Sequence, residues 1–160
     1  LTIAAKTIYG PVQGIFRAAI VLGLIHPGVF WPCNARSEID AVRIGELEIL
    51  TIPGELYPEI MDGGIKSPEG ADFHPLQPVE VPPLRTEVME GKMRMVFGLA
   101  NDEIGYIIPK SQWDAKPPHA FEPDGQYGEE NSCGPEIAPL IHRESVYVLN
   151  RLHEAVKKMP

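Results

Sequence analysis

The sequence predicts an α/β or α+β fold, in which a mixed sheet packs against a long C-terminal helix. Three observations indicate this fold class. Alternating apolar runs flank Gly45-Glu46 as the two halves of a strand pair would, and two more apolar runs follow a long loop. The last segment, Glu136 to Lys158, has apolar residues at spacings of three and four, which is the helical period. Strands, loop, strands, loop and helix in this order build layers rather than a helical bundle.

The first apolar stretch is Ile15 to Ile25, interrupted only by Arg17 and Gly23. It ends at His26-Pro27-Gly28, which continues neither a helix nor a central strand. Periodicity does not separate a buried helix from a buried strand over so short a run. We therefore expect a buried element of one type or the other.

A strand pair, or one bent strand, is predicted around Gly45-Glu46. Apolar side chains occupy alternate positions before and after this dipeptide, as in a strand with one face on a core. Four side chains are therefore expected to face the core: Val42, Ile44, Leu47 and Ile49.

Glu55 follows the second of these strands directly. The strand stops at Pro53-Gly54, and Leu56 to Met61 has the composition of one or two helical turns in spite of Pro58. From Asp62 to Pro83 the chain is rich in glycine, proline and aspartate, which predicts a long loop. Loops of this length in compact domains are often functional or disordered.

Two further strands and the C-terminal helix follow. Met93 to Leu99 has strand character, Asn101-Asp102 turns the chain, and Ile104 to Ile108 is a second short apolar run. A loop from Lys116 to Pro135 leads into the helix. The apolar stripe of this helix comprises Ile137, Leu140, Ile141, Val148, Leu149, Leu152 and Val156.

Length, charge and hydropathy exclude several classes of protein. The chain has 160 residues, of which 44% are hydrophobic, enough for one domain of ordinary size. Its net charge is −8 and the acidic residues are spread along the chain, so we expect no nucleic-acid binding. The longest apolar stretch, Ala18 to Leu24, is much shorter than the roughly 20 residues of a membrane-spanning helix, so we expect no transmembrane segment.

The two cysteines, Cys33 and Cys133, stand far apart in the sequence, which excludes a local Cys-x-x-Cys metal or redox motif. One long-range disulfide and two unpaired thiols are both compatible with this spacing. A disulfide requires that the two Cα atoms lie within about 7 Å of each other.

Glu55 and the segment from Gly98 to Tyr106 carry the residues best suited to chemistry. The Pro-Gly turn before Glu55 removes side chains that would block its carboxylate, although acidic residues in turns are usually only solvated. A second strand end is followed at once by Asn101-Asp102, Glu103 and Tyr106. Two strand ends of one sheet can lie side by side, so the carboxylates of Glu55 and Glu103 are able to converge on one cation, and zinc accepts such ligands. Simple turn chemistry is the alternative for Asn101-Asp102.

Three segments of the chain resemble the neutral, non-lysosomal ceramidases. Val42 to Glu55 is similar to a strand that leads into Pro-Gly-Glu, and Gly98 to Trp113 is similar to an Asn-x-Tyr-x-x-Tyr block. Tyr127 through Gly134-Pro135 resembles the Tyr-Gly-Pro that precedes the family's closing helix. The segments occur in the family's order, and the Pro-Gly-Glu with its strand is the most specific of them.

The resemblance implies a zinc-dependent amidohydrolase of sphingolipid metabolism that cleaves a lipid-like N-acyl amide. In this family the zinc is held by two histidines, a glutamate and a tyrosine, with a serine beside it. Glu55 matches the glutamate, Glu103 falls on the tyrosine ligand, and Tyr106 falls on the second tyrosine. This implies Glu55 and Glu103 as metal ligands, and Glu103 and Tyr106 as catalytic residues. Glu103 is a departure, because a carboxylate cannot donate a phenolic hydrogen bond to an oxyanion.

The family's histidine ligands and its serine match no residue of this sequence. The resemblance thus implies that residues 1–160 are the C-terminal portion of one catalytic domain, with the N-terminal portion as its partner, and that these residues alone are inactive. It also implies a secreted or cell-surface protein, with which a Cys33–Cys133 disulfide would agree. Four further residues are candidates for lining a cleft or contacting substrate: His74, His119, Trp113 and Tyr127.

Two alternatives stay open. A non-catalytic relative would use the same scaffold for binding or structure, and the glutamate at position 103 would mark the loss of catalysis. A hydrolase with a more oxygen-rich metal site would act on another amide or on an ester.

Overall fold

The computed structural model describes residues 1–11, 14–24, 29–30, 34–66, 79, 81–113 and 127–159. In chain order its strands and helices are β1 (Thr2–Pro11), α1 (Gly14–Val21), β2 (Val29–Phe30), β3 (Asn34–Ile44), β4 (Leu47–Thr51), β5 (Glu55–Leu56), α2 (Pro58–Asp62), β6 (Met93–Phe97), β7 (Tyr106–Ile107), α3 (Tyr127–Glu130) and α4 (Ile137–Lys157). A π-helical turn covers Leu84–Val88 and a 3-10 turn covers Lys110–Gln112.

The main sheet is mixed, as the sequence predicts for an α+β fold. Its strand order is β1-β3-β4-β6, and β2 also pairs with β3. The pairs β1–β3 and β3–β4 are antiparallel, whereas β4 and β6 run parallel. A parallel pair needs a crossover connection, which here is the chain between β4 and β6. The short strands β5 and β7 form a second, parallel sheet.

The predicted strand pair around Gly45-Glu46 is confirmed as the β3–β4 hairpin. Ile44 pairs with Leu47 across a two-residue turn. Gly45 has φ +59°, a left-handed conformation that glycine adopts without steric cost.

The core lies between one face of the main sheet and α4. This helix packs against β1 and β3, and its apolar stripe matches the predicted one. A buried cluster joins the two layers, and it includes Ile8, Ile39, Ala41, Leu50, Ile52, Ile137, Ile141, Val148, Leu149 and Leu152.

The predicted inner face of the hairpin is wrong. Ile44 is 52% exposed, and Ala41 and Leu50, with none of their surface exposed, face α4 instead. Both faces of the hairpin carry apolar residues, so alternation alone does not identify the one that the helix covers. The residues placed on the uncovered face are Val42, Ile44, Leu47 and Ile49.

The uncovered sheet face carries a continuous apolar row. Ile3 pairs with Val42, Val42 with Ile49, and Ile49 with Met95, so these side chains lie side by side across four strands. The row is extended by the exposed side chain of Phe97 on β6.

The stretch from Ile15 to Ile25 forms α1 in its described part, but the expectation of burial is wrong there. Val21, Leu22 and Leu24 are 72%, 72% and 74% exposed. Only Ile20 among the described side chains of this helix packs against the core. In the described residues, this apolar segment is therefore a surface helix with little contact to the core.

The two predicted loops are partly described. Gly63 to Lys66 is irregular and the π-helical turn follows Pro83, while 67–78 and 80 lie outside the described residues. In the second loop, α3 interrupts the irregular chain, and the part from 116 to 126 is likewise not described. No helix in the described ranges is both long and apolar enough to cross a membrane.

Cys133 is a free, buried thiol. It is therefore not in the disulfide considered above, and Cys33 lies outside the described residues. The Cys133 Sγ atom lies 3.2 Å from the carbonyl oxygen of Ile104, to which the thiol donates. Burial raises the pKa of this thiol to about 11.

Candidate functional site

Pro53-Gly54-Glu55 is held by the segment that follows β6. The amide of Leu99 donates to the Gly54 carbonyl at 3.1 Å, and the amide of Ile104 donates to the Pro53 carbonyl at 2.8 Å. The amide of Glu55 in turn donates to the Gly105 carbonyl at 3.1 Å. The turn that carries Glu55 is thus fixed by backbone bonds on both sides.

Gly54 is required by the close approach of these two segments. A Cβ atom at this position would lie 2.4 Å from the carbonyl oxygen of Gly105, far inside the contact distance. Gly105 itself has φ +85°, and a Cβ there would meet the Asn131 carbonyl oxygen at 2.0 Å. Glycine at both positions lets three backbone segments pack against one another without side chains between them.

Glu55 and Tyr106 are in-register partners of the parallel strands β5 and β7. Partners in parallel strands project to the same side of the sheet, so the carboxylate and the phenol lie together. Partial burial raises the pKa of Tyr106, and the negative charge of Glu55, together with its acceptance of the phenol's hydrogen bond, raises it further. Tyr106 is therefore a neutral hydrogen-bond donor at physiological pH.

Glu103 lies at the same site. Its Oε1 atom accepts a hydrogen bond from the amide of Gly105 at 3.0 Å, which fixes the side chain beside the strand. Its charge contributes to the raised pKa of Tyr106, after the larger effects of burial, Glu55 and Tyr127. The structure thus brings together the three residues named from the sequence, Glu55, Glu103 and Tyr106.

Two more tyrosines flank Tyr106. The ring of Tyr57 makes an edge contact with a centroid distance of 6.3 Å, and the ring of Tyr127 makes another at 5.9 Å. Tyr127 was considered as a substrate contact from the sequence, whereas Tyr57 was missed. Its position two residues after Glu55, on the same side of an extended chain, is the signal that identifies it.

The histidines of the described part lie elsewhere. His142 donates through Nε2 to the carbonyl oxygen of Pro82 at 2.8 Å, and His153 contacts Glu48. Both are buried residues of α4 with partners inside the fold. The other histidines, at positions 26, 74 and 119, lie outside the described residues. Trp113 donates from Nε1 to the carbonyl oxygen of Ile108 at 3.4 Å.

The described side chains of the candidate site are oxygen donors. Glu55 and Glu103 are exposed carboxylates and Tyr106 adds a phenol oxygen, all of which are acceptable zinc ligands. Within the ranges that the structure describes, no group of three or more His, Cys, Asp or Glu residues is arranged to hold a metal ion. A complete four-ligand site therefore needs ligands from outside these ranges.

Comparisons with protein-family models, with curated proteins and with solved structures give no match for this chain. The function is accordingly argued from the geometry of Glu55, Glu103 and Tyr106.

Proposed function

We propose that this chain is part of a zinc-dependent amidohydrolase similar to the neutral ceramidases, with Glu55 as a zinc ligand. The observation that supports the proposal most directly is the in-register pairing of Glu55 with Tyr106. It places an accessible carboxylate and a neutral phenol side by side at one strand end.

In this proposal the metal is shared by Glu55, Glu103 and ligands from outside the described residues. Glu103 is the second metal ligand in this proposal, because its carboxylate is exposed and only one of its two oxygen atoms accepts a hydrogen bond from a described residue. The N-terminal portion of the same catalytic domain supplies the histidines and the serine. A bound zinc ion would polarise the carbonyl of the scissile amide as a Lewis acid.

In this proposal Tyr106 donates the hydrogen bond to the developing oxyanion, a role that the carboxylate of Glu103 cannot fill. A carboxylate only accepts hydrogen bonds, whereas the phenol of Tyr106 is able to donate one. A donor at this place stabilises negative charge that develops on the amide oxygen during attack. The raised pKa of Tyr106 keeps the donor proton in place at physiological pH.

The tyrosines support a substrate with an extended apolar part. Tyr57, Tyr106 and Tyr127 form a row of edge-to-face rings beside the carboxylates. Tyr127 is 62% exposed, so its ring offers apolar surface to a ligand. This arrangement suits an N-acyl lipid, whose amide would lie at Glu55 and whose chain would lie along the rings.

The second candidate is a non-catalytic relative that uses the same scaffold for binding. Its basis is Glu103, which stands where the family has a tyrosine and cannot donate a phenolic hydrogen bond. In that case the Glu55–Tyr106 pair would bind a polar ligand without cleaving it.

Zinc analysis and hydrolysis assays on the protein expressed from its complete gene test the proposal. We expect bound zinc and cleavage of N-acylsphingosine or of simpler N-acyl amines. Glu55→Gln should lower zinc content and reduce hydrolysis by more than about 100-fold, since it removes a ligand rather than an outer partner. Glu46→Gln, which changes an exposed carboxylate in the hairpin turn, is the matched control.

Two results would contradict the zinc assignment. Equal zinc content in Glu55→Gln and the unaltered protein would show that Glu55 is not a ligand. A folded protein without zinc or hydrolysis would favour the non-catalytic relative. Glu103→Tyr, which restores the family's residue, should retain zinc, whereas Glu103→Ala should lose part of it.

A further inference from the structure

Leu99 and Asn101 have an unusual backbone conformation just before the candidate site. Their φ angles are +53° and +75°, and no other described residue except glycine has a positive φ. Asparagine tolerates this left-handed region better than most residues, but leucine does not. Strained backbone persists only where surrounding contacts hold it, and it is concentrated at functional sites.

The side chain of Asn101 supplies such contacts. Its Nδ2 atom donates to Oδ2 of Asp40 at 2.9 Å and to Oγ1 of Thr51 at 3.2 Å. A weaker bond of 3.4 Å runs to the backbone carbonyl of Glu38. Because a carboxylate only accepts, the group that faces Asp40 must be the amide NH₂. One exposed side chain thus joins the turn to both β3 and β4.

Backbone hydrogen bonds next to Asn101 connect this turn to Glu55. The amide of Ala100 donates to the Ile52 carbonyl at 3.0 Å, and the amide of Ile104 donates to the Pro53 carbonyl at 2.8 Å. The chain then reaches Gly105, whose carbonyl accepts from the amide of Glu55. The path of residues 99–105 therefore decides where Tyr106 lies relative to Glu55.

We propose that Asn101 is a positioning residue, which acts through the turn to set the Tyr106 phenol against the Glu55 carboxylate. This role differs from simple turn formation. The side chain of Asn101 bonds to β3 and β4 of the main sheet, whereas the residues that it positions lie on β5 and β7. This proposal depends on the proposed function only in treating Glu55 and Tyr106 as a catalytic pair. The placement of the two residues by Asn101 is independent of it.

Amide hydrogen exchange measured by NMR on the complete protein tests the proposal without zinc or substrate. Asn101→Gly keeps the left-handed backbone and removes the side-chain bonds, and Asn101→Asp keeps the shape but places a carboxylate against Asp40. We expect protection of the Glu55 and Ile104 amides to fall by about tenfold in both variants, since each loses hydrogen bonds that hold the turn.

Other positions serve as controls. Protection of Leu149 in α4 should stay unchanged, and Asn150→Asp, the same chemical change at an exposed helix position, should leave Glu55 and Ile104 unchanged. Unaltered protection at Glu55 and Ile104 in both Asn101 variants would overturn the proposal. An equal fall at Leu149 would also overturn it, because Asn101 would then stabilise the whole domain.

An activity measurement separates this proposal from the proposed function. If hydrolysis is present, the Asn101 variants should lower kcat more than they raise KM, because Tyr106 is misplaced at the reacting amide. If hydrolysis is absent but exchange at Glu55 rises as expected, the positioning role stands and the proposed function fails. Full activity with unaltered exchange in the Asn101 variants would support the proposed function and overturn the positioning role.

Discussion

His153 of α4 contacts Glu48 of β4 through Nε2, which lies 3.1 Å from the carboxylate Oε1, and both side chains are buried. The same carboxylate accepts from Arg43 Nη1 at 2.9 Å and from the amide of Glu90 at 3.2 Å. The other ring nitrogen of His153 lies 3.5 Å from Oε1 of Glu90. The buried carboxylate of Glu48 is thus contacted by polar groups from three separate parts of the chain.

Removal of Glu48 should destabilise the fold strongly. Glu48→Ala is expected to lower the free energy of unfolding by about 3–5 kcal/mol, because it leaves Arg43 and His153 without their buried partner. Urea denaturation measures the change. Glu46→Ala breaks an exposed pair with Lys92 and should cost less than about 1 kcal/mol. Equal costs for the two variants would show that the buried network contributes no more than a surface ion pair.

Glu55→Gln should lower the pKa of Tyr106 toward its ordinary value. Partial burial, the largest cause of the raised pKa, remains in this variant, but the negative charge of Glu55 is lost and the phenol faces at most a neutral amide oxygen. The pKa is therefore expected to fall without reaching the value of a free tyrosine. An NMR titration of ¹³Cζ-labelled tyrosines, assigned with Tyr106→Phe, measures it. A pKa unchanged by Glu55→Gln would mean that the two side chains do not interact.

Cys133 should make stability fall at alkaline pH. Burial raises its pKa from 9.0 to about 11, so the thiol is protonated in the fold while the unfolded chain already ionises. The contribution is fully present below pH 9 and is lost as the pH rises toward 11, by at most about 1.4 kcal/mol per pH unit. Comparison of urea denaturation for the unaltered protein and Cys133→Ala checks this. Parallel curves over that window would contradict it.

Glu144 should make stability fall at acidic pH. Its burial acts to raise the pKa, but hydrogen bonds from Lys6 and Arg143 outweigh this and hold the pKa below its ordinary value of 4.5. The contribution is therefore present above pH 4.5 and is lost as the pH falls through the lowered pKa. Glu144→Gln should cost about 1 kcal/mol at pH 7, since Lys6 is partly exposed, and less at pH 3. A cost that is the same at both pH values would rule out the ion pairs as its source.

The elements with a strong local signal could be predicted from the sequence. The stripe of α4 repeats over five turns, the β3–β4 turn has a glycine at its left-handed position, and β6 is a short apolar run between turns. Each of these signals depends on neighbouring residues only, and each element was confirmed.

The face of the hairpin that packs on α4 could not be predicted. Glu48 on the inner face is the reason, since a carboxylate in an alternating strand indicates solvent exposure. Its partners Arg43, Glu90 and His153 come from three separate parts of the chain, and no local pattern shows that they converge. The exposed apolar residues of the other face, such as Ile44, made the opposite assignment the more natural one.

The candidate site was predicted in part. Glu55 and the segment around Glu103 and Tyr106 each follow a predicted strand, and strand ends of one sheet can lie side by side. The structure places these two segments together. Their sheet, however, is the separate β5–β7 pair rather than the main sheet. The close contact of Gly54 with Gly105 produces this arrangement, and such a backbone contact between distant residues has no signature in a single sequence.

The parallel pairing of β4 with β6 has a consequence for the order in which the molecule forms. Leu47 pairs with Met93, and the whole crossover that carries Glu55 lies between them. Contacts this distant in sequence form late, because the entropy of closing the loop is lost before they stabilise the chain. The Glu55–Tyr106 pair, which the same crossover connects, is therefore expected to form after the local β3–β4 hairpin.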